Sequence, residues 1–241
     1  MNNNESIKKI KKVLVLFSGG KDSLLATVRY LDNGYQTYLV NYENSCGIGN
    51  NNVCNTTDRL IKKYGKDKVI VLGNKNISAI FRNFIYPFYN YKVNYIYEKF
   101  GSISISQFNC LACRLAMYVS SIIISKQLKI KSIIDGARTC QLFAIEQEKM
   151  LKCFQSLFLD YNLNIEYPLK DLDDDWELKN ELLIRGVIPK TIEPQCLLGC
   201  PLSNKEIEED IINAVYNGYL KEKAISAICK YENINIRGDF V

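Results

Sequence analysis

The apolar run Val13-Leu14-Val15-Leu16-Phe17 is followed at once by Ser18-Gly19-Gly20-Lys21-Asp22-Ser23 and then by a helical pattern. A buried strand that turns through two glycines into a helix constrains the fold more than any other stretch of the chain. The glycines let backbone N–H groups close on an anion, and the helix directs its positive end at the same point. Ser18 and Ser23 add hydroxyl donors and Lys21 a point charge, so the segment is predicted to cradle phosphate.

A length of 241 residues suits one large α/β domain, with or without a small appendage. No stretch of the sequence approaches the roughly 18 uninterrupted apolar residues of a membrane span, so no membrane partner is expected. The beginning, Met1-Asn2-Asn3-Asn4-Glu5, lacks a secretory apolar region, and a cytoplasmic location is expected. Nine cysteines in such a chain suggest thiol or metal chemistry rather than a disulfide scaffold. Histidine is absent, which removes the commonest general base and metal ligand. The net charge of +5 comes mainly from lysine and raises the expectation of a nucleic-acid partner only slightly.

Strand and helix patterns alternate. Strands are expected at 13–17, 37–41, 69–72, 132–135 and 165–167, and helices at 22–31, 56–64, 79–84, 111–126, 146–161 and 176–185. Alternation of this kind predicts a doubly wound parallel sheet with its ligand at the carboxyl ends of the strands. Beyond Pro201 two polar helices, 206–216 and 221–230, read as a helical tail, so the expected division is 1–202 and 203–241. Ser203, with Glu206 three residues on, is its expected N-cap. The Asn-rich loop 45–55 follows the second strand and is expected near the ligand.

The hexapeptide resembles the SGGxDS signature of the N-type ATP pyrophosphatase (PP-loop) superfamily; it lacks the longer spacing of a Walker A loop. The resemblance implies an adenine-nucleotide-hydrolase-like fold that binds ATP with Mg2+, cleaves it to AMP and pyrophosphate, and activates a substrate as its adenylate. It implies that Phe17 and the segment Val40-Asn41-Tyr42 flank the adenine, and that Ser18, Gly19, Gly20, Lys21, Asp22 and Ser23 receive the phosphates. It makes Asp22 the acid that handles magnesium or lies beside phosphate, although a first-turn acid also suits the helix dipole. The turn Ile134-Asp135-Gly136-Ala137-Arg138 is similar to a second family landmark but lacks its paired acids; Gly136 fits, and Arg138 is a candidate clamp for phosphate. Tyr167-Pro168-Leu169 and Gly186-Val187-Ile188-Pro189 are similar to a stretch of the tRNA-thiolating and 7-cyano-7-deazaguanine-forming relatives. Between them, Asp173-Asp174-Asp175 reads as a helix cap. The resemblance runs from about residue 12 to about residue 202.

Cys110-Leu111-Ala112-Cys113 is expected to open the long helix behind an Asn109 cap. There the two thiols share a face and the helix dipole favours their thiolates. Cys196 and Cys200 form a second pair. In order and spacing these cysteines are similar to those of the iron–sulfur-dependent tRNA 2-thiolation enzymes. That likeness implies a 4Fe–4S cluster on Cys110, Cys113 and Cys196, with Cys200 spare or fourth. A four-cysteine zinc site, a persulfide or disulfide relay, and inert buried thiols stand beside it. Cys153 and Cys229 fall on apolar faces and are expected in the core. Cys46 and Cys54, in the Asn-rich loop, could reach the site.

The expected chemistry is adenylation of a substrate carbonyl, with Lys21 and Asp22 acting at the phosphates, then sulfur transfer from the cysteine centre. The acceptor implied by the resemblance is a tRNA base, and a sulfur donor is required. A small-molecule acceptor, a zinc-containing amidating or nitrile-forming ligase, and a nucleotide-sensing module are the alternatives. Related proteins are often homodimers, which makes a dimer an expectation here.

Overall fold

Val13, Leu14, Val15 and Phe17 are almost wholly buried, so the first strand lies inside a sheet covered on both faces. The computed structural model describes residues 10–44, 46–48, 52–141, 143–189, 195–196 and 206–233. In it β1 (Lys12–Leu16) leads through the hexapeptide into α1 (Lys21–Asp32) and on to β2 (Gln36–Glu43). Next come the short β3 (Gly47–Ile48), α2 (Asn52–Tyr64), β4 (Val69–Asn76), α3 (Ser78–Tyr89), α4 (Val93–Phe100) and α5 (Ile105–Leu128). The chain then forms β5 (Ser132–Ile134), α6 (Glu148–Asp160), β6 (Asn164–Glu166), α7 (Asp175–Ile184) and β7 (Gln195–Cys196). It ends in α8 (Glu209–Ile212), a π-helical stretch Asn213–Leu220 and α9 (Lys221–Tyr231).

Five strands pair in parallel in the order β4-β2-β1-β5-β6. The chain order reverses beside β1, and the crevice at the carboxyl ends of β1 and β5 is where such sheets take their ligands. This is the doubly wound parallel sheet that the alternation predicts. The main departures lie elsewhere. α4 has no counterpart among the expected helices. Residues 209–231 form one unbroken helical run with a π segment instead of two helices. Its Val215, Tyr216, Leu220, Ala224, Ile228 and Tyr231 are buried in the same core as α5 and α6. Ser203, the expected cap of that tail, lies outside the described residues.

α5 is 24 residues long, and a window of it reaches a mean hydropathy of 1.5, enough by length and composition to cross a membrane. Within the fold 78% of that window is buried, so its apolarity serves the core.

Two glycines are fixed by close approach. Gly19 has φ +78°, and a side chain there would meet the backbone of Val53 at 3.2 Å. At Gly136 a Cβ would lie 2.8 Å from the carbonyl carbon of Asp22 and 2.9 Å from the Ser23 nitrogen. The turn after β5 thus rests directly on the first turn of α1. Gly136→Ala must push these two turns apart and is expected to cost about 1–3 kcal/mol of stability, measurable by urea unfolding; an unchanged midpoint would show that the seam yields freely.

Candidate functional site

At the carboxyl ends of β1, β2 and β5 lies a cleft of about 210 Å³. Phe17, Ser18, Asp22, Ser23, Val40, Asn41, Tyr42 and Gly136 line it, joined by Arg114, Met117, Asp135 and Glu146. The loop is shaped by its own hydroxyls. Ser18 Oγ and Ser23 Oγ lie 3.1 Å apart, Gly20 N donates to Ser18 Oγ at 3.3 Å, and Ser23 Oγ donates to the Gly20 carbonyl at 3.1 Å. No side chain caps α1 at Gly20, so the helix start is open to an external anion. Asn41 ties the ends of the first two strands, its amide donating to the Phe17 carbonyl at 3.0 Å. Its Oδ1 is buried without a partner. Tyr42 is fixed by a 2.8 Å hydrogen bond with Ser121.

Arg138, Lys21 and Asp22 do not all face this cleft. Arg138 is 3% exposed and holds Asp22 at 2.7 Å and Asp175 at 2.5 Å, while Lys21 reaches the second oxygen of Asp175 at 3.3 Å. As the structure stands, Arg138 is spent inside a chain of charges, Lys21–Asp175–Arg138–Asp22, that pins the start of α7 to the hexapeptide. Partial burial pushes the Asp175 carboxyl up, but Arg138 and Lys21 outweigh it and hold the acid below its usual range. The acidic run divides its labour: Asp174 caps α7 by accepting from Trp176 N at 2.7 Å, and Asp175 bridges the two cations. Nothing in the sequence pattern distinguishes the two.

The floor of the cleft is a buried polar group. Arg114 Nη1 lies 2.6 Å from Asp135 Oδ2, which also accepts from Tyr118 Oη at 2.6 Å. Burial works against the Arg114 charge, yet Asp135 and the other nearby acids hold the guanidinium above its ordinary value. Glu146 stands close by, 7% exposed, with Oε2 lacking any partner. Burial lifts its carboxyl to about 7 against the pull of Arg114, and repulsion from Asp135 and Asp22 adds to the rise.

A second, almost wholly apolar cleft of about 160 Å³ is lined by Asn44, Phe81, Asn109, Cys110, Cys113, Ile145 and Cys196, and again by Arg114 and Met117. Three of the cysteines that the sequence singles out therefore meet on one surface. Cys200 lies outside the described residues. β3 and β7 pair with Gly47 opposite Cys196, which carries the end of the Asn-rich loop to the same place and sets Cys46 in the electrostatic reach of Cys196. Of the remaining thiols, Cys153 is half-buried, while Cys54 and Cys229 are exposed, so Cys229 is not a core residue.

The expected thiolates are not favoured here. Asn109 does not cap α5: Ser104 does, accepting from Gln107 N at 3.1 Å while the Gln107 side chain accepts from Ser104 N at 3.0 Å. Cys110 and Cys113 thus sit beyond the first turn, where the helix dipole has faded. Burial pushes the Cys113 thiol up to about 12 and negative charge at Cys196 adds to this, against the Asn44 hydrogen bond at 3.0 Å and Arg114. The donor chemistry, sulfur on an apolar wall, suits a thiolate-bound group. Among the described residues, though, no three His, Cys, Asp or Glu side chains stand together closely enough to hold a metal ion.

No family model matches the chain, and no curated protein matches it. Among solved structures it is similar to a 4-thiouridine synthetase–RNA complex with bound ATP, with a TM-score of 0.58 and 14% identity. That likeness covers 91% of this chain and 53% of the other, so this chain spans about half the length of that protein. NMN synthetase from Francisella tularensis matches with a TM-score of 0.47 and 16% identity over 96% of this chain and 88% of that one. A predicted subunit of tRNA methyltransferase from Methanocaldococcus jannaschii matches at 0.42 and 18%, over 82% and 100%. The first likeness establishes the fold as the adenine-nucleotide-hydrolase-like arrangement that the hexapeptide implies.

The raised Glu146 carboxyl has a calculable signature. A carboxyl lifted from 4.5 to about 7 binds its proton more tightly in the folded chain, so folding weakens as pH rises through that interval and is level above it. Against Glu146→Gln the wild type is expected to lose up to about 3 kcal/mol between pH 4.5 and 8, read from paired urea titrations; parallel curves would place Glu146 in water.

Proposed function

We propose that this chain uses ATP to activate a carbonyl oxygen of an acceptor, releasing pyrophosphate, and then replaces that oxygen with sulfur. The observation that carries the reading is the wall common to the two clefts. Arg114 and Met117 line both, so a group activated beside the hexapeptide faces the cysteines without leaving the protein. The fold likeness to a 4-thiouridine synthetase with bound ATP supports the same class.

In this reading the adenine lies against Phe17, Val40 and Tyr42, and the unpartnered Asn41 oxygen offers an acceptor for an exocyclic amine. The phosphates meet the Ser18–Ser23 loop, whose N–H groups and hydroxyls stabilise the charge that develops on pyrophosphate. Lys21 contributes its charge by exchanging Asp175 for phosphate. Mg2+ would be held by Asp22 together with the phosphates that accompany it, and would neutralise part of their charge. A 4Fe–4S cluster on Cys110, Cys113 and Cys196 would supply an open iron for sulfide; zinc on the same thiols is the competing occupant. Asn44 and Arg114 orient and screen Cys113.

A tRNA base is the proposed acceptor. Tyr86, Tyr89, Tyr95 and Tyr97 are exposed on α3 and α4 beside the exposed Arg82, Lys92 and Lys99. Tyr89 donates to Asn109 on the rim of the cysteine cleft. Aromatic faces interleaved with cations suit stacked bases and a phosphate backbone.

With ATP and unmodified tRNA the products are expected to be AMP and pyrophosphate; formation of ADP would refute the adenylation. Lys21→Ala is expected to slow AMP release about 100-fold. Protein purified without oxygen is expected to absorb broadly in the visible and to contain iron, and Cys113→Ser to abolish both; a colourless zinc protein would replace the cluster. Binding of tRNA is expected to weaken steeply with salt, and Tyr97→Ala to weaken it about tenfold. Indifference to both would favour a small acceptor.

A further inference from the structure

We infer that Glu146 is the base that recognises the acceptor's ring N–H and takes its proton as the neighbouring carbonyl oxygen is adenylated, which restricts the acceptor to lactam bases such as uracil. This rests on the adenylation reading above.

Asp135 Oδ2 is engaged by Arg114 and Tyr118, each at 2.6 Å, and Asp22 Oδ1 by Arg138 at 2.7 Å. Two acids lining the cleft have a buried carboxylate oxygen without a hydrogen-bond partner, Asp22 Oδ1 and Glu146 Oε2. Arg138 Nε stands 2.7 Å from the first, whereas Glu146 Oε2 faces the cleft wall with no such ion pair. The Arg138 backbone supplies the carboxyl with one hydrogen bond, and Oε2 has none. A buried acceptor of this kind is stable only if a donor arrives or a proton does.

Its place in the chain fits the task. Ile145 lines the cysteine cleft and Glu146 lines the hexapeptide cleft, so the backbone crosses the dividing wall at this peptide. An acceptor that must meet both phosphorus and sulfur has to sit at that crossing. The groups that act on Glu146 are Arg114 from α5, Asp135 just after β5, Asp22 from α1 and the Arg138 backbone, and the Cys140 thiol lies within its electrostatic reach. Their balance with burial leaves the carboxyl near half-ionised at neutral pH. A proton can therefore be taken up and returned without a large barrier.

The chemistry needs such a group. When the oxygen of an –NH–C(=O)– unit attacks the α-phosphorus, the O–P bond forms and the bond to pyrophosphate breaks. The ring carbon–nitrogen bond becomes double, and the N–H proton must leave for the adenylate to be neutral at that nitrogen. Glu146 Oε2 receives it, and no oxidant or further reactant is required. Cytosine, whose ring nitrogen beside the carbonyl carries no proton, offers no donor to the ionised carboxylate and has no N–H proton for it to take.

The test uses the full chain with ATP and a pool of unmodified tRNA transcripts. For the wild type, AMP release is expected to rise with pH to a plateau with a midpoint near 7. Glu146→Gln is expected to lower kcat about 100- to 1,000-fold, to flatten that limb, and to leave the KM for ATP within about twofold of its original value. Glu146→Ala is expected to recover activity with added formate, a result that a packing role would not produce. Sequencing is expected to place the reacted base at uracil or another lactam. A Gln variant that keeps a third of the rate, a pH limb that survives the substitution, absence of formate rescue, or reaction at cytosine would each overturn the inference. A wild type that releases no AMP with any transcript fails at the adenylation itself, and Glu146 then loses its role with it.

Discussion

The buried contact between Arg114 and Asp135 stands in the wall between the two clefts. Asp135 directly follows β5 at the mouth of the sheet, and Arg114 follows Cys113 on α5. A guanidinium taken out of water survives only against a well-placed carboxylate, and this one has Tyr118 as a second donor to the same oxygen. The pair therefore fixes the rotation of α5 relative to the sheet, and with it the direction in which Cys110 and Cys113 face. Removal of either partner would strand a buried charge in the wall that both clefts share.

α5 is the element through which that dependence acts. Its inward face is carried by Leu111, Leu115, Tyr118, Val119 and Ile122, which are fully buried, so the helix cannot turn without opening the core. Residues 110, 113, 114 and 117 recur at helical spacing and come to the same side at successive turns. Sulfur, cation and thioether are thus delivered to adjacent points of one wall by periodicity alone.

Much of this was legible in the residues. The strand, the two glycines and the helix start predict the cradle because few backbones satisfy that order, and the alternation of elements predicts the sheet. The meeting of Cys110, Cys113 and Cys196 follows from motif order. What escaped notice has physical reasons. The Ser104/Gln107 capping box is written in the chain, six residues ahead of the first cysteine, but Asn109 directly before Cys110 is an equally good capping residue by type, and only the structure separates them. Glu146 precedes α6 in an unremarkable run, and its significance comes from burial that no local pattern records. Asp175 sits among three identical acids, so only tertiary placement separates the bridge from the cap. The pairing of β3 with β7 involves two residues on each side, too few for any periodic signal.

The raised Cys113 thiol has a consequence for how sulfur could be handled. A thiol held near 12 is protonated at neutral pH and is a poor nucleophile, so the cleft does not activate Cys113 by itself. The same burial that suppresses the thiolate also excludes water, which protects a labile sulfur species from hydrolysis. A metal ion reverses the balance, because its charge replaces the missing solvation and deprotonates the ligand on binding. Among the described residues the cleft is lined by sulfur, apolar groups and one cation, the already paired Arg114, so its own surroundings do not make Cys113 a strong nucleophile. For the sulfur transfer proposed above, a persulfide relay through Cys113 is on that ground the weaker route, since the charge that makes a thiolate there is not supplied by the described residues.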